Sequence, residues 1–328
     1  MTIIPHLPPA DGPDATLRGY WDGADLITGV TGPRDLTTGI PPPPPPPPPE
    51  GMIYGASAAA GNFATTTEQQ ITDLHIHCFY WYDTPNSNNW SVIAGLPSDM
   101  DCFVQTKRTT RADYDALIAQ MPPTRTGNVY LHYHNEPEDN IESGALTMAQ
   151  YQARTDSLYD AIEASGKTYI KKTIELQYWT LQQWNKGLPG PNNSRNLPMY
   201  VRPGTEHIGW SNYAEKEIDN TGLHETYTIS PTNMPNVIKT YHTTGAGVGI
   251  TWSSITGWAV GDAFLNDPIT LQRRADWMLL AGTNLNTAGS KHFMWFEIDW
   301  ANGDYRIWSD QAYLFPAWRD RLIEVGQW

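Results

Sequence analysis

The chain has 328 residues and 40% hydrophobic content, enough for one large core or for one domain with an appendage. Its formal net charge is −14, from 21 basic and 35 acidic residues, a field that repels phosphates and argues against a nucleic-acid partner. Charged residues make up only 17% of the chain while Trp and Tyr number 14 and 17, a balance that suits a sugar-facing surface and equally a large core with a partner interface.

The N-terminus, MTIIPHLPPADGPD, lacks a cationic start and an apolar core, so no secretory leader is expected. No run of about 18 apolar residues exists, so no membrane insertion is expected. Residues 1–40 are rich in Pro, Gly, Asp and Thr and poor in apolar side chains, and they cannot build a core alone. Pro41–Pro49 are nine consecutive prolines, which exclude helix and strand. They predict a polyproline II rod of about 3.1 Å per residue, roughly 28 Å in all. The reading is an extended anchor segment over 1–40, ordered on a partner, then a stiff linker over 41–50 and a folded domain over 51–328. A disordered tail is the alternative for residues 1–40.

After Glu50 short apolar runs alternate with helical stretches. The spacing predicts strands at 52–57, 74–81, 101–107, 128–134, 169–177, 206–212, 247–253 and 292–298. Helical patterns fall at RADYDALIAQM, TMAQYQARTDSLYDAIEASG, NMPNVIKTYHTTG, PITLQRRADWMLLAGTN and DQAYLFPAWRDRLIEVG. Thr147 with Gln150 forms a capping-box pattern, Gly166 is a stop, and Asp267-Pro268 is a start. Eight such units predict an α/β fold, a (β/α)8 TIM barrel preceded by the extended segment and the linker. A doubly wound sheet is disfavoured because no Gly-rich phosphate loop follows the first strand. Cys78 and Cys102 fall inside strands and read as two buried thiols, not a disulfide framework.

A barrel builds its site where the strands end. The fourth run ends in His134, Asn135, Glu136 and Pro137, and the second carries His75 and His77. The fifth offers Glu175 and Gln177, the seventh Trp252, and the eighth Trp295, Glu297, Asp299 and Trp300. Alternation places Trp295, Glu297 and Asp299 on one face, and a Trp beside a carboxylate suits sugar stacking. Trp252, Trp295 and Trp300 are therefore candidate sugar contacts, with His77, His134 and Glu175 beside them in a polar mouth. The bland alternatives are a rim carboxylate for Glu136 and an ion pair to Lys107 or Lys172 for Glu297. The pairs HIH and HYH resemble the metal-binding HxH of amidohydrolases. That family carries its pair on the first strand, whereas here it is on the second, so neither metal nor cofactor is expected.

The stretch HNEPE at the end of the fourth run resembles the Asn-Glu-Pro signature of retaining glycoside hydrolases with TIM barrels, the cellulase- and mannanase-like clan. The resemblance implies that Glu136 is the general acid/base and that Asn135 contacts the sugar 2-hydroxyl. Retention needs a second carboxylate about 5–5.5 Å away. The family places it at the end of the seventh strand, where this chain reads GVGITWSSITGW. Three explanations stay open. The strand count is off by one and Glu297 is the nucleophile; Glu297 or Glu175 reaches in from another strand; or the nucleophile is lost and the barrel binds sugar without cutting it.

The whole chain, anchor, rod and barrel, resembles minor tail proteins of phages that infect actinobacteria. This implies assembly in the host cytoplasm, a place in the virion, and docking to other tail proteins through residues 1–40 in several copies. The barrel would then bind, and in the catalytic reading hydrolyse, host cell-envelope polysaccharide. A non-catalytic carbohydrate-binding or structural tail module is the alternative, and a metal-dependent hydrolase a third.

Overall fold

The computed structural model describes residues 51–57, 73–83, 96–219, 222–227, 229–260, 266–296, 299–300, 303–304, 306–307 and 310–328. The anchor and the proline rod lie outside the described residues, as does Glu297.

In chain order the strands are β1 (Ile53–Ser57), β2 (Cys78–Asp83), β3 (Asp101–Thr106), β4 (Val129–Tyr133), β5 (Ile170–Gln177), β6 (His207–Asp219), β7 (Gly222–Tyr227), β8 (Thr251–Val260), β9 (His292–Trp295), β10 (Asp299–Trp300) and β11 (Gly303–Asp304). The helices are α1 (Arg111–Gln120), α2 (Pro137–Glu142), α3 (Met148–Ser165), α4 (Tyr178–Asn185), α5 (Asn233–Thr244), α6 (Pro268–Ala288) and α7 (Leu314–Glu324). Strands β1 to β6, then β8 and β9, pair in parallel, and β9 pairs back onto β1. The result is the closed eight-stranded parallel barrel with alternating helices that the sequence predicts.

Local chemistry sets the helix ends. Thr147 and Gln150 exchange side-chain and backbone hydrogen bonds at the start of α3, and Gly166 ends it with a φ of 64°. Asp267 caps α6, with Pro268 in its first turn. Cys78 and Cys102 are buried free thiols in adjacent strands.

Two strands sit later in the chain than predicted. The second begins at Cys78, not Leu74. Leu74 and Ile76 are buried and so mimic a strand face, but His75 has a φ of 47°, which interrupts extended backbone. The seventh runs Thr251–Val260, because Gly245–Gly249 turn the chain first, Gly249 at a φ of 84°. A further difference is the extension of β6 and β8, which stay paired as far as Lys216 and Val260. Antiparallel β7 borders β6 there, and β11 borders β8.

Strand alternation puts Cys78, Tyr80, Phe103, Tyr130, Ile255 and Met294 together in the barrel interior. The Phe103 and Tyr130 rings stack with centroids 4.4 Å apart. Below them, in the N-terminal half, runs a polar chain: His292 Nε2 lies 2.8 Å from Asp101 Oδ2, and His292 Nδ1 lies 2.6 Å from Ser253 Oγ. Ser253 is fully buried, so this serine-histidine-aspartate order satisfies a core and is not an exposed nucleophile.

Gly55 of β1 faces Cys78 of β2, and a Cβ there would run into the Cys78 backbone carbonyl. Gly55→Ala is expected to cost about 1–3 kcal/mol. Chemical denaturation checks this, and an unchanged midpoint contradicts it.

Candidate active site

The end of β4 is shaped by two left-handed residues. His134 has a φ of 59° and Glu136 a φ of 44°, each costing on the order of 1–3 kcal/mol. Local bonds hold the turn. The His134 amide donates to Thr106 O at 2.9 Å, extending the pairing with β3. Asn140 Nδ2 donates to His134 Nε2 at 2.7 Å, so Nδ1 carries the proton and donates to Asn135 O at 2.7 Å. Burial keeps His134 neutral, pushing its pKa down to about 4. Pro137 then starts α2 in the position where a missing N–H costs nothing.

Under this turn lies Glu175 of β5, 1% exposed. A carboxylate in such a place needs donors. Tyr80 of β2 donates to its Oε2, and Ser211 of β6 donates to its Oε1 at 2.5 Å. His132 Nε2 of β4 lies 3.0 Å from the same Oε2 and 3.0 Å from Tyr80 Oη. Gly209, opposite Glu175 on β6, makes the room: a Cβ there would press on Glu175 Cγ at 3.3 Å and Ile255 Cδ1 at 3.2 Å.

Glu136 is half-buried above this cluster. Its pKa is pushed up to about 7, first by loss of water and then by the neighbouring Glu175 charge. The Ser211 hydroxyl and the Gln177 amide pull it partly back. Among the described residues its buried Oε1 has no hydrogen-bond partner. Tyr82 of β2 and Tyr213 of β6 stand close enough to feel the Glu136 charge, and the Tyr213 ring meets Phe296 at 5.2 Å. A carboxyl that titrates near neutrality, with one oxygen free and a second carboxylate beside it, is suited to giving and taking a proton.

The second glutamate of the HNEPE stretch has another task. Glu138 is fully buried and accepts from the Gln177 amide and the Thr180 hydroxyl, both at 2.8 Å. Burial raises its pKa to about 8. Arg195 Nη1 donates to Gln177 Oε1 at 2.7 Å while Nη2 pairs with Asp139 and Glu142. Gln177 is thereby fixed beside Glu136 from both sides.

Of the residues singled out in the sequence, the structure gathers Glu136, Asn135, His134 and Glu175 at one end of the barrel. His134 has both ring nitrogens engaged within the protein, so it positions the turn and does not present a free nitrogen to a ligand. His77 is placed elsewhere. It precedes β2, at the opposite end, where its Nε2 lies 2.7 Å from Gln327 O while His75 stacks on Trp328. Trp252 starts β8 and stacks on His242 of α5, centroids 5.7 Å apart, facing the helices. Trp295 is fully buried and packs against Trp277 and Arg274 of α6, because Met294 takes the inward position. Neither indole reaches the mouth. Trp300 lies in β10, and its side chain is outside the described residues. Sequence reasoning missed Tyr80, Tyr82, Ser211 and Glu138, whereas His132 belongs to the HYH pair it singled out and here lies beside a carboxylate, not in a metal-ligand cluster of the described residues. Starting the second strand at Cys78 would have placed Tyr80 and Tyr82 on its inward face.

Strand β8 carries no carboxylate over Thr251–Val260. Among the described residues no three His, Cys, Asp or Glu side chains converge to hold a metal ion. Among the same residues no helix is long and apolar enough to cross a membrane.

The raised Glu136 pKa has a stability consequence with a definite sign. The protonated form is favoured in the fold, so its contribution is complete below the ordinary value of 4.5 and is lost as pH rises through about 7. Glu136→Gln, which stays neutral, is expected to gain stability over wild type on the order of 2 kcal/mol between about pH 4 and about pH 8. Denaturation at both pH values checks this, and a pH-independent difference contradicts it.

No protein-family model matches the chain, and no curated protein matches it significantly. Among solved structures it is similar to an endo-β-1,3-glucanase of glycoside hydrolase family 128 (subgroup II) from Sorangium cellulosum, with 10% identity over 81% of this chain and 97% of that one and a TM-score of 0.52. It is also similar to a β-glucosidase from Thermotoga maritima in complex with glucoimidazole, with 12% identity over 85% of this chain and 98% of that one and a TM-score of 0.50. At such identities the likeness is one of fold: the chain is a TIM barrel whose solved structural neighbours are glycoside hydrolases.

Proposed function

We propose that the barrel is a glycan-processing module of a phage minor tail protein, in which Glu136 is the general acid/base acting on host cell-envelope polysaccharide. The observation that carries this is the Glu136 carboxyl. It stands at the C-terminal rim of the fourth strand, with its pKa near 7 and one oxygen unpartnered among the described residues. The glycoside-hydrolase neighbours support a carbohydrate ligand. Asn135 precedes Glu136 and contacts the sugar hydroxyl in this reading. Glu297, two residues after the end of β9, supplies the second carboxylate. Glu175 is less suited to attack a sugar, because its oxygens already accept from Tyr80 and Ser211. Its charge serves to raise the Glu136 pKa.

The tail role rests on the order of segments. Residues 1–40 and nine prolines precede the barrel, and they anchor it to other tail proteins. A second reading, binding without hydrolysis, is favoured by one observation: β8 lacks a carboxylate where the clan has its nucleophile.

Purified actinobacterial envelope polysaccharide tests the assignment. Wild type is expected to release new reducing ends, and Glu136→Gln to lose this by at least about a hundredfold while still retaining the polysaccharide in affinity electrophoresis. Equal turnover by both proteins would sink the role of Glu136. Retention without turnover by wild type would favour the binding module.

A further inference from the structure

The flank between α4 and α5 has features that the mouth does not use. Trp179, Trp184 and Leu188 are 46%, 37% and 51% exposed, an unusual run of large apolar side chains left in water. Lys186 Nζ covers part of Trp179, 5.7 Å from its ring centroid. Among the described residues no cation covers Trp184, which borders a groove of about 270 Å³, lined also by Asn185, Val237, Thr240, Tyr241 and Thr244.

Tyr241 is the informative member. It is 7% exposed, set edge-on against Trp210 at 5.7 Å, and backed by Gly247, where any Cβ would run into its ring. Its hydroxyl is buried and has no hydrogen-bond partner among the described residues. Such a group is costly to bury unless something that enters the groove satisfies it. The Thr240 and Thr244 hydroxyls donate to Asn236 O at 2.8 Å and Thr240 O at 2.9 Å, which leaves their lone pairs able to accept. None of the residues that line the groove carries a formal charge.

We infer that this groove is a second glycan-binding site, distinct from the barrel mouth, which takes a neutral sugar unit. The apolar face of a pyranose ring rests on the Trp184 indole, and its hydroxyls meet Tyr241, the threonines and Asn185. A charged ligand would find no counter-charge here. A protein partner needs about 800 Å² of surface, far more than this recess offers. The site lies on the side of the barrel: Trp184 and Asn185 close α4, and Thr244 closes α5, whose following strand starts at the end opposite Glu136. It stands whether or not Glu136 transfers a proton.

The test uses the full chain carrying Glu136→Gln, so that no sugar is cleaved, with laminarihexaose, mannohexaose and cellohexaose as probes. Calorimetry and methyl NMR are run on this protein and on the same protein with Trp184→Ala or Tyr241→Phe. At least one hexaose is expected to bind at the groove, shifting the Val237 methyl signals. Each groove substitution should weaken that event at least about tenfold. Tyr241→Phe should leave the melting temperature unchanged or higher, since it removes an unsatisfied hydroxyl, so it remains decisive if Trp184→Ala misfolds. Binding that is equal in the groove variants, or no Val237 shift with any of the three sugars, overturns the proposal. Val237 shifts that follow protein concentration alone would assign the face to a second copy and overturn it as well.

Discussion

The site depends on a carboxylate held inside a parallel barrel. Glu175 is nearly inaccessible to water, and burying it would be prohibitive without partners. Three strands provide them: Tyr80 from β2, His132 from β4 and Ser211 from β6, with Gly209 leaving the space. The cluster requires the barrel to be closed, because Tyr80 of β2 meets Glu175 only across the interior, while His132 and Ser211 come from the strands that flank β5. Fold and electrostatics are thus one constraint. The closed sheet excludes water, and the excluded water together with Glu175 makes Glu136 hard to ionise.

The turn that carries Glu136 has a local cost that the rest of the structure offsets. Two residues of HNEPE adopt left-handed backbone, and His134, Asn140 and Pro137 are arranged to hold them there. Glu138 and Arg195 then fix Gln177 on the neighbouring strand. Such concentrated strain and burial at one rim is what a site needs if a carboxyl is to be kept in a fixed place and protonation state. The structure also separates roles that the sequence runs together. The two glutamates of one short motif end in different surroundings, Glu136 with one buried oxygen unpartnered among the described residues and Glu138 locked as a brace.

Much of the barrel was legible in the sequence because each unit carries its own signals. The capping box at Thr147, the stop at Gly166 and the Asp267-Pro268 start all act locally. The position of Glu136 followed from the end of the fourth strand, which has a clear β-branched and aromatic run. The register of the second strand was not legible, since buried Leu74 and Ile76 imitate a strand on the approach to it. That shift moved His77 to the wrong end and hid Tyr80 and Tyr82. The seventh strand was misplaced because its apolar start follows a glycine-rich turn, and Trp252 went with it. Trp295 shows a separate limit: alternation fixes which residues share a face but not which face is inside, and Met294 took the interior. The Glu175 cluster draws on four strands, a long-range arrangement that no local pattern encodes.

The central claim is that Glu175 and loss of water together tune Glu136 to transfer a proton near neutrality. The most direct measurement is the NMR titration of the Glu136 side-chain carboxyl carbon in wild type and in Glu175→Gln. A midpoint of about 7 in wild type, clearly lowered in Glu175→Gln, is the predicted result. A wild-type midpoint at the ordinary glutamate value of 4.5, or one that Glu175→Gln leaves unmoved, would contradict it.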